Sequence, residues 1–286
     1  MLVKRILALF FRDRSNVFFS LLGALMVLML YVLFLGSLME DGLRAQLGFD
    51  SDLIRPAMAS IILAGMVAVT SVTSCLGALG TRVDDRGAAG RDFLTSPISR
   101  GKLTRSYMMG TTVVGFLMTL ITLVLSMTYI AAIGGGFPGT ADLGRLVVTM
   151  VLSVLCANSM MFFITAFVKT TNAYSALSAV VGSLVGFIMG IYIPIGTLPA
   201  AVQWVIRLFP MSHAASMFRQ ILSVDSIRSL FEGMPPEVLT EFKEVHGIVL
   251  VYGDYTGSFW FSAAVLAATT LVFYAVSVAL VRRQRG

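Results

Sequence analysis

Charged side chains are scarce in this sequence, and their scarcity excludes an ordinary water-soluble fold. Of the 286 residues, 13% are charged and 57% are hydrophobic, whereas about a quarter of the residues in a soluble domain are charged. Histidine and cysteine number only two each. Because a clustered metal site or a disulfide framework needs several such residues, we expect neither in this chain.

Long apolar runs take the place of the missing charges. A helix needs about 20 apolar residues to cross a bilayer, and six runs meet this length: residues 17–39, 56–80, 106–133, 146–168, 173–195 and 258–281. None of the six contains Asp, Glu, Lys, Arg or His. The sequence therefore predicts an all-α integral membrane protein whose residues 1–286 form a single transmembrane domain with six transmembrane helices.

The distribution of basic residues predicts the orientation, because Lys and Arg in short loops remain cytoplasmic. Of the 21 Lys and Arg residues, 14 fall on the side that holds both termini, and 7 fall on the other side. Both termini are therefore expected in the cytoplasm. The net charge of +6 is explained by attraction to anionic lipid of the inner leaflet, so no nucleic acid partner is expected.

Two cytoplasmic segments flank the first spans. Residues 1–15 place Leu2, Ile6 and Phe10 at helical spacing beside basic residues, which favours a helix lying in the membrane interface. A simple positive flank of the first span is the alternative. Residues 81–105 mix acidic and basic side chains with glycines, a pattern typical either of a short helix between flexible joints or of a solvated loop.

The region before the last span has a different character. Within residues 196–257, two moderately apolar stretches, Leu198–Phe209 and Met211–Val224, are too short to cross the membrane. They favour re-entrant or interfacial helices. The polar stretch Asp225–Gly257 predicts a small extracytoplasmic cap with a helix around Glu237–Val245.

Small residues recur along the fifth apolar run. Ser178, Gly182, Gly186 and Gly190 follow one another every four residues, a spacing that lets two helix backbones approach closely. This face is a candidate dimer seam or pathway-lining surface. Ordinary packing within one bundle explains the spacing equally well.

Polar side chains that could line a pathway are few. The candidates are Asn158 and Ser159 in the fourth run, with Asn172 and Tyr174 at the mouth of the fifth. Polar groups inside spans commonly bond a neighbouring helix. Helix packing is therefore the alternative interpretation for all four residues.

The sequence lacks any site that would convert energy. Ion-coupled carriers need ionisable groups within the membrane, and the six runs contain none. No phosphate-binding G-x-x-x-x-G-K-[ST] loop is present, and no serine within a span has a basic partner. We therefore expect no catalytic residues, no bound cofactor and no metal in this chain, so that another chain supplies any energy.

Three segments resemble the permeases of type-2 ABC transporters. They are Phe11–Ser20 before the first span, Asp84–Arg100 with its Ser-Pro-Ile turn after the second, and Leu198–Gln220 before the last. The resemblance implies a permease that pairs with a second copy, identical or homologous, and docks two cytoplasmic ATPases that hold ATP and Mg²⁺. It also implies a coupling helix in the loop, with these ATPase contacts: Asp84, Asp85, Arg86, Arg91, Asp92, Phe93 and Pro97.

The resemblance further implies a direction and a cargo. The chain is similar to the antibiotic and multidrug branch of Gram-positive bacteria, so we expect export of a hydrophobic or amphipathic substrate across a bacterial cell membrane. Drugs, antibiotics, peptides and lipid-like molecules fit this description. A non-transporting membrane scaffold or sensor, with a ligand-binding cap, is the alternative.

Overall fold

The fold is known from a computed structural model that describes residues 2–85 and 100–283. Within these ranges the chain is mainly helical, and six helices are long and apolar enough to cross a membrane. Their bounds are Ser20–Leu47, Ile54–Asp84, Gly101–Ala132, Asp142–Ala166, Thr171–Ile188 and Phe259–Leu280. The predicted all-α architecture with six candidate spans is thus confirmed.

The α-helices are numbered in chain order over the described residues. They are α1 (Leu2–Arg12), α2 (Arg14–Leu30), α3 (Gly36–Leu47), α4 (Ile54–Asp84), α5 (Arg100–Ala132), α6 (Thr140–Ala166), α7 (Thr171–Ile188), α8 (Ala200–Leu208), α9 (Pro210–Leu222), α10 (Val224–Leu230), α11 (Pro236–Val245) and α12 (Phe259–Arg283). Strands β1 (Val251–Tyr252) and β2 (Tyr255–Thr256) form an antiparallel hairpin.

Helix α4 is the centre of the bundle. It packs against α2, α5, α6, α7 and α9, and 94% of its most apolar stretch is buried. Glycines allow the neighbours to approach: a Cβ atom at Gly77 would lie 2.5 Å from Ser20 Oγ, and one at Gly80 would lie 3.3 Å from the Tyr174 ring. The other five spans are more exposed than α4, and only 11% of the apolar stretch of α7 is buried.

The first span contains a local irregularity. Between α2 and α3, residues Tyr31–Leu35 form a π-helical turn in which the Gly36 amide donates to the Tyr31 carbonyl. A Cβ atom at Gly36 would lie 2.7 Å from that carbonyl oxygen, so glycine is the residue that fits there. The turn adds one residue to the helix and leaves Val32, Leu33 and Phe34 exposed.

The fifth span ends earlier than the sequence predicted. Thr170 caps the start of α7, where its side chain accepts from the Ala173 amide at 3.2 Å. The helix stops at Ile188 instead of 195, because Gly190 has a left-handed backbone with φ of 61°. The Gly190 and Ile191 amides donate to Phe187 and Gly186, which closes the helix in a Schellman turn.

The two short helices before the cap are present, and α9 is almost wholly buried. Pro210 begins α9 at a position where its missing N–H costs nothing. The helix packs against α4, α6 and α12, so its polar residues lie within the protein. Helix α8, by contrast, exposes Trp204, Val205 and Leu208 on one side.

The cap packs on the ends of the first two spans. Ile227, Leu230, Phe242 and Ile248 join a buried apolar cluster with residues of α3 and α4. The predicted helix near Glu237–Val245 is confirmed as α11. Helix α10 and the β-hairpin were not predicted.

Candidate functional site

The loop after the second span is the predicted site. Asp85 is the last residue of its first half that the structure describes. The Arg5 guanidinium donates to both Asp85 carboxylate oxygens, at 2.9 and 3.0 Å, and the Tyr107 hydroxyl also donates to this carboxylate. Burial of Asp85 opposes ionisation, but the hydrogen bonds from Arg5 and Tyr107 outweigh it and lower the pKa of Asp85. One carboxylate therefore joins α1, the end of α4 and the start of α5.

Helix α1 packs on the bundle through its apolar side. Ile6 and Phe10 are fully buried, whereas Leu9 and Phe11 are about two-fifths exposed at 40% and 42%. A Cβ atom at Gly110 in α5 would lie 2.8 Å from the Ile6 side chain. The predicted N-terminal helix thus exists, and its buried side faces other helices of the same chain.

Two further contacts hold this end of the bundle together. Arg82 of α4 stacks over the Phe162 ring, with its guanidinium carbon 3.7 Å from the ring centroid, and donates to the Phe162 carbonyl at 3.3 Å. The Tyr174 hydroxyl of α7 donates to the Leu76 carbonyl of α4. The ends of α6 and α7 are therefore fixed to the helix that carries Asp85.

Most of the predicted ATPase contacts lie beyond Asp85. Asp84 is exposed at the last turn of α4. The remaining predicted contacts lie outside the described residues; they are Arg86, Arg91, Asp92, Phe93 and Pro97. Their role in coupling stays a prediction.

The small-residue face of the fifth span is only partly a helix face. Ser178, Gly182 and Gly186 lie on α7, but Gly190 lies beyond its end, so the prediction of four residues along one helix is wrong for Gly190. Gly186 packs against the Tyr192 ring, and Gly190 packs against Ile195. Gly182 has open space where a Cβ atom would be.

The candidate pathway residues make contacts between helices. The Asn158 amide donates to the Met108 carbonyl at 3.0 Å and to the Thr112 hydroxyl at 2.7 Å, and its oxygen accepts from Thr111. These bonds join α6 to α5, while Tyr174 joins α7 to α4. Ser159 is buried and Asn172 is exposed. Asn158 and Tyr174 thus serve helix packing in this structure.

At the opposite end of the bundle, α9 contains a buried arginine, Arg219, and a buried histidine, His213. Arg219 is 1% exposed and donates to the backbone carbonyls of Ile61, Met189, Gly190 and Gly247. Burial lowers its pKa to about 10. His213 is 2% exposed, with Nδ1 3.1 Å from Ser262 Oγ and Nε2 3.0 Å from the Tyr252 hydroxyl. Burial lowers the pKa of His213 to about 4, so the ring is neutral at pH 7.

Comparison with known proteins identifies the architecture. The family model described as ABC-2 type transporter matches residues 1–223, well over half of the chain. The chain belongs to the ABC-2 type transporter family. A search among curated proteins found no match.

Membership in the ABC-2 family settles the class of protein. The chain is the transmembrane permease subunit of a transporter and not its ATPase, and it is a multi-pass membrane protein. An ABC-2 permease implies partner ATPase subunits. Among residues 2–85 and 100–283, no group of three or more His, Cys, Asp or Glu side chains could hold a metal ion.

The sequence of this ABC-2 permease did not predict the partners of Asp85 or the burial of Arg219 and His213. Arg5 and Tyr107 lie 80 and 22 residues from Asp85, so no local pattern joins them. Arg219 was visible as a single cation in an otherwise moderately apolar stretch. That feature is a signal for a buried or membrane-facing charge.

Proposed function

We propose that this permease exports a hydrophobic or amphipathic molecule from the cytoplasm, as one half of a dimer driven by two ATPase subunits. The observation that carries the proposal is the apolar face shared by α2 and α7. Both helices pack on α4 and contact each other. Neither α2 from Val17 onward nor α7 contains Asp, Glu, Lys, Arg or His. A pathway formed between two such faces would suit an apolar cargo.

Exposed apolar area on this face supports a second copy as its partner. Met29, Leu33 and Phe34 of the first span are 62%, 69% and 61% exposed, and Val180 and Phe187 of α7 are 54% and 50% exposed. In the membrane such surface meets lipid or another helix. Gly182 offers the close approach that helix association in lipid requires.

The distribution of charge supports cytoplasmic termini. The N-terminal segment, the loop after the second span, Lys169 and the C-terminal segment together contain 14 of the 21 basic residues of the sequence. Under the positive-inside rule the side that holds these segments faces the cytoplasm, where the ATPases are. The cap then lies outside the cell. The proposed membrane is the cell membrane of a bacterium.

Coupling would run through the Asp85 contacts. An ATPase that moves the loop following Asp85 also moves α1 and the start of α5, because the same carboxylate binds all three elements. Two buried side chains, Ile6 and Phe10, stiffen this connection. The proposal therefore assigns force transmission to this end and cargo contact to the α2–α7 face.

Copurification from native membranes tests the proposal. The tagged permease should copurify with an ATPase subunit in equal amount, and inverted vesicles should accumulate an apolar fluorescent dye when ATP is added. Asp92→Lys in the loop should reduce dye transport at least about tenfold, because charge complementarity sets the register of polar interfaces. Glu237→Lys, a charge reversal on the exposed side of the cap, is the matched control and should transport normally.

Other outcomes would point elsewhere. Absence of any ATPase from the purified material would contradict an energised permease and favour the scaffold or sensor. Equal transport by the Asp92→Lys and wild-type proteins would remove the loop from the coupling mechanism.

A further inference from the structure

Arg219 has an unusual set of partners for a buried cation. Its Nη2 donates to the Gly190 carbonyl at 2.7 Å and the Met189 carbonyl at 3.4 Å, its Nη1 donates to the Gly247 carbonyl at 3.2 Å, and its Nε donates to the Ile61 carbonyl at 3.4 Å. These oxygens belong to three separate segments: the end of α7, the cap and α4. The side chain thus joins the three.

Backbone dipoles balance the charge of Arg219 within the described part of the chain. No ion pair that involves Arg219 occurs among residues 2–85 and 100–283. Met189 and Gly190 form the C-terminal turn of α7, where the helix dipole is negative. A buried cation that loses such partners pays a large desolvation cost. The three segments are therefore held together for as long as the cation stays in place.

Glycines shape the socket around the guanidinium. Gly190 and Gly247 both have left-handed backbones, with φ of 61° and 62°. A Cβ atom at Gly247 would lie 2.9 Å from Arg219 Nη1, and one at Gly65 in α4 would lie 3.4 Å from Nη2. Bare backbone at Gly190 and Gly247 exposes their carbonyl oxygens to the cation, and at Gly65 it leaves room for the guanidinium.

The socket lies inside the bundle and not on the rim. Ile61 and Gly65 lie about two and three turns beyond Ile54, the first residue of α4, so the guanidinium is about 10–16 Å along the helix at 1.5 Å per residue. A small cavity adjoins it, lined by residues that include Met39, Ile62 and His246. Gly190 and Ile61 also line this cavity, so it lies between the segments that the guanidinium joins.

We propose that Arg219 is a latch that closes the cap end of the permease. In the closed state its guanidinium binds the end of α7 to α4 and to the cap turn at Gly247. Release of the Met189 and Gly190 carbonyls lets α7 move away from α4 and opens the pathway to the cap side. Arg219 is thus a positioning residue for transport, and this inference rests on the proposed function.

Hydrogen exchange measured by mass spectrometry tests the latch in the intact permease–ATPase complex in nanodiscs. The amides of Gly190 and Ile191 are hydrogen-bonded in the turn that ends α7, and the Ile248 amide donates to the Lys243 carbonyl, so all three lie next to carbonyl groups that bind Arg219. In the wild type, trapping with ATP and vanadate should accelerate their exchange at least about tenfold, because their protection depends on the closed state. Peptides from α6 should not change and serve as the internal control.

Variants sharpen the result. Arg219→Gln should give fast exchange of the same amides without nucleotide, and Arg219→Lys, which retains charge but forms fewer bonds, should lie between. Arg207→Gln is the matched control, because Arg207 lies on the neighbouring α8 and bonds the Gln203 side chain at 2.7 Å. It should exchange as the wild type does.

The outcomes separate the latch from the transport function. Wild-type exchange that is the same with and without trapped nucleotide, in a complex whose ATPase is active, overturns the latch and leaves the transporter assignment intact. A preparation without ATPase activity contradicts the proposed function instead. Should Arg219→Gln fail to fold, the wild-type comparison decides alone.

Discussion

Asp85 illustrates how a predicted interface residue can have an internal role. The resemblance to type-2 permeases implied that Asp85 meets the ATPase, because it begins an acidic, glycine-containing loop. In the structure its side chain is 11% exposed and occupied by Arg5 and Tyr107. Its contribution to coupling would therefore be indirect, through the position of α1.

A double-mutant cycle measures this contact. Asp85→Asn and Arg5→Gln should each destabilise the packing of α1, and the two effects should be non-additive by about 1 kcal/mol, since the pair is bidentate but partly exposed. Thermal unfolding in detergent gives the stabilities. Asp84→Asn, at the exposed neighbouring position, should have little effect.

Strict additivity of the Asp85 and Arg5 changes would contradict the pairing. Transport assays on the same variants separate stability from coupling. Reduced transport with ATPase subunits still bound is the expected result for Asp85→Asn.

Arg219 was the residue least accessible to prediction. Its partners lie 158, 30, 29 and 28 positions away along the chain, and all are carbonyl groups, which every residue possesses. A buried cation can be predicted from a sequence when an acidic residue is present to pair with it. A cation bound by backbone carbonyls has no such partner in the sequence.

At the scale of elements, the apolar runs predicted the six spans well because length and hydropathy are properties of local sequence. The error at the end of the fifth span has a clear cause. Residues 189–195 are as apolar as the helix before them, so hydropathy continues where the backbone turns. The left-handed Gly190 and the Schellman bonds end the helix instead.

The β-hairpin was missed although its signal was present. Tyr252 pairs with Tyr255 across a two-residue Gly253-Asp254 turn, and Gly253 has a φ of 65°. Gly-Asp between short β-prone pairs is a known hairpin sequence. Each strand is only two residues long, which is too short to show the alternation of apolar and polar residues that predicts a strand.

Substitution of two glycines tests the revised end of α7. Gly190→Ala should destabilise the permease by about 2 kcal/mol, because alanine is strained at positive φ and its Cβ would meet Ile195. Gly182→Ala should stay within about 1 kcal/mol of the wild type, since its Cβ points into open space. Unfolding midpoints in detergent provide the comparison.

Equal stability of the Gly190→Ala and wild-type proteins would mean that α7 continues as a helix through residue 190, as the sequence first indicated. A large loss for Gly182→Ala would instead indicate that this position is already packed within one chain. Either result would change the assignment of the α7 face.

On the scale of the whole molecule, the two ends of the bundle differ in both charge and construction. One end is basic and is held by side-chain contacts at Asp85, Arg82 and Tyr174. The other end carries the cap and the Arg219 socket. Composition and the positive-inside rule predicted the difference in charge, but the tight packing of α9 inside the bundle depends on contacts among distant segments.

The central claim is that the basic end faces the cytoplasm and contacts the ATPase, and cysteine labelling in intact cells tests it most directly. Both native cysteines, Cys75 and Cys156, are buried, so background labelling should be low. An impermeant maleimide should label Glu237→Cys in the cap of intact cells. It should label Ser96→Cys in the loop only after permeabilisation, and bound ATPase should protect that site; labelling of Ser96→Cys in intact cells would contradict the account.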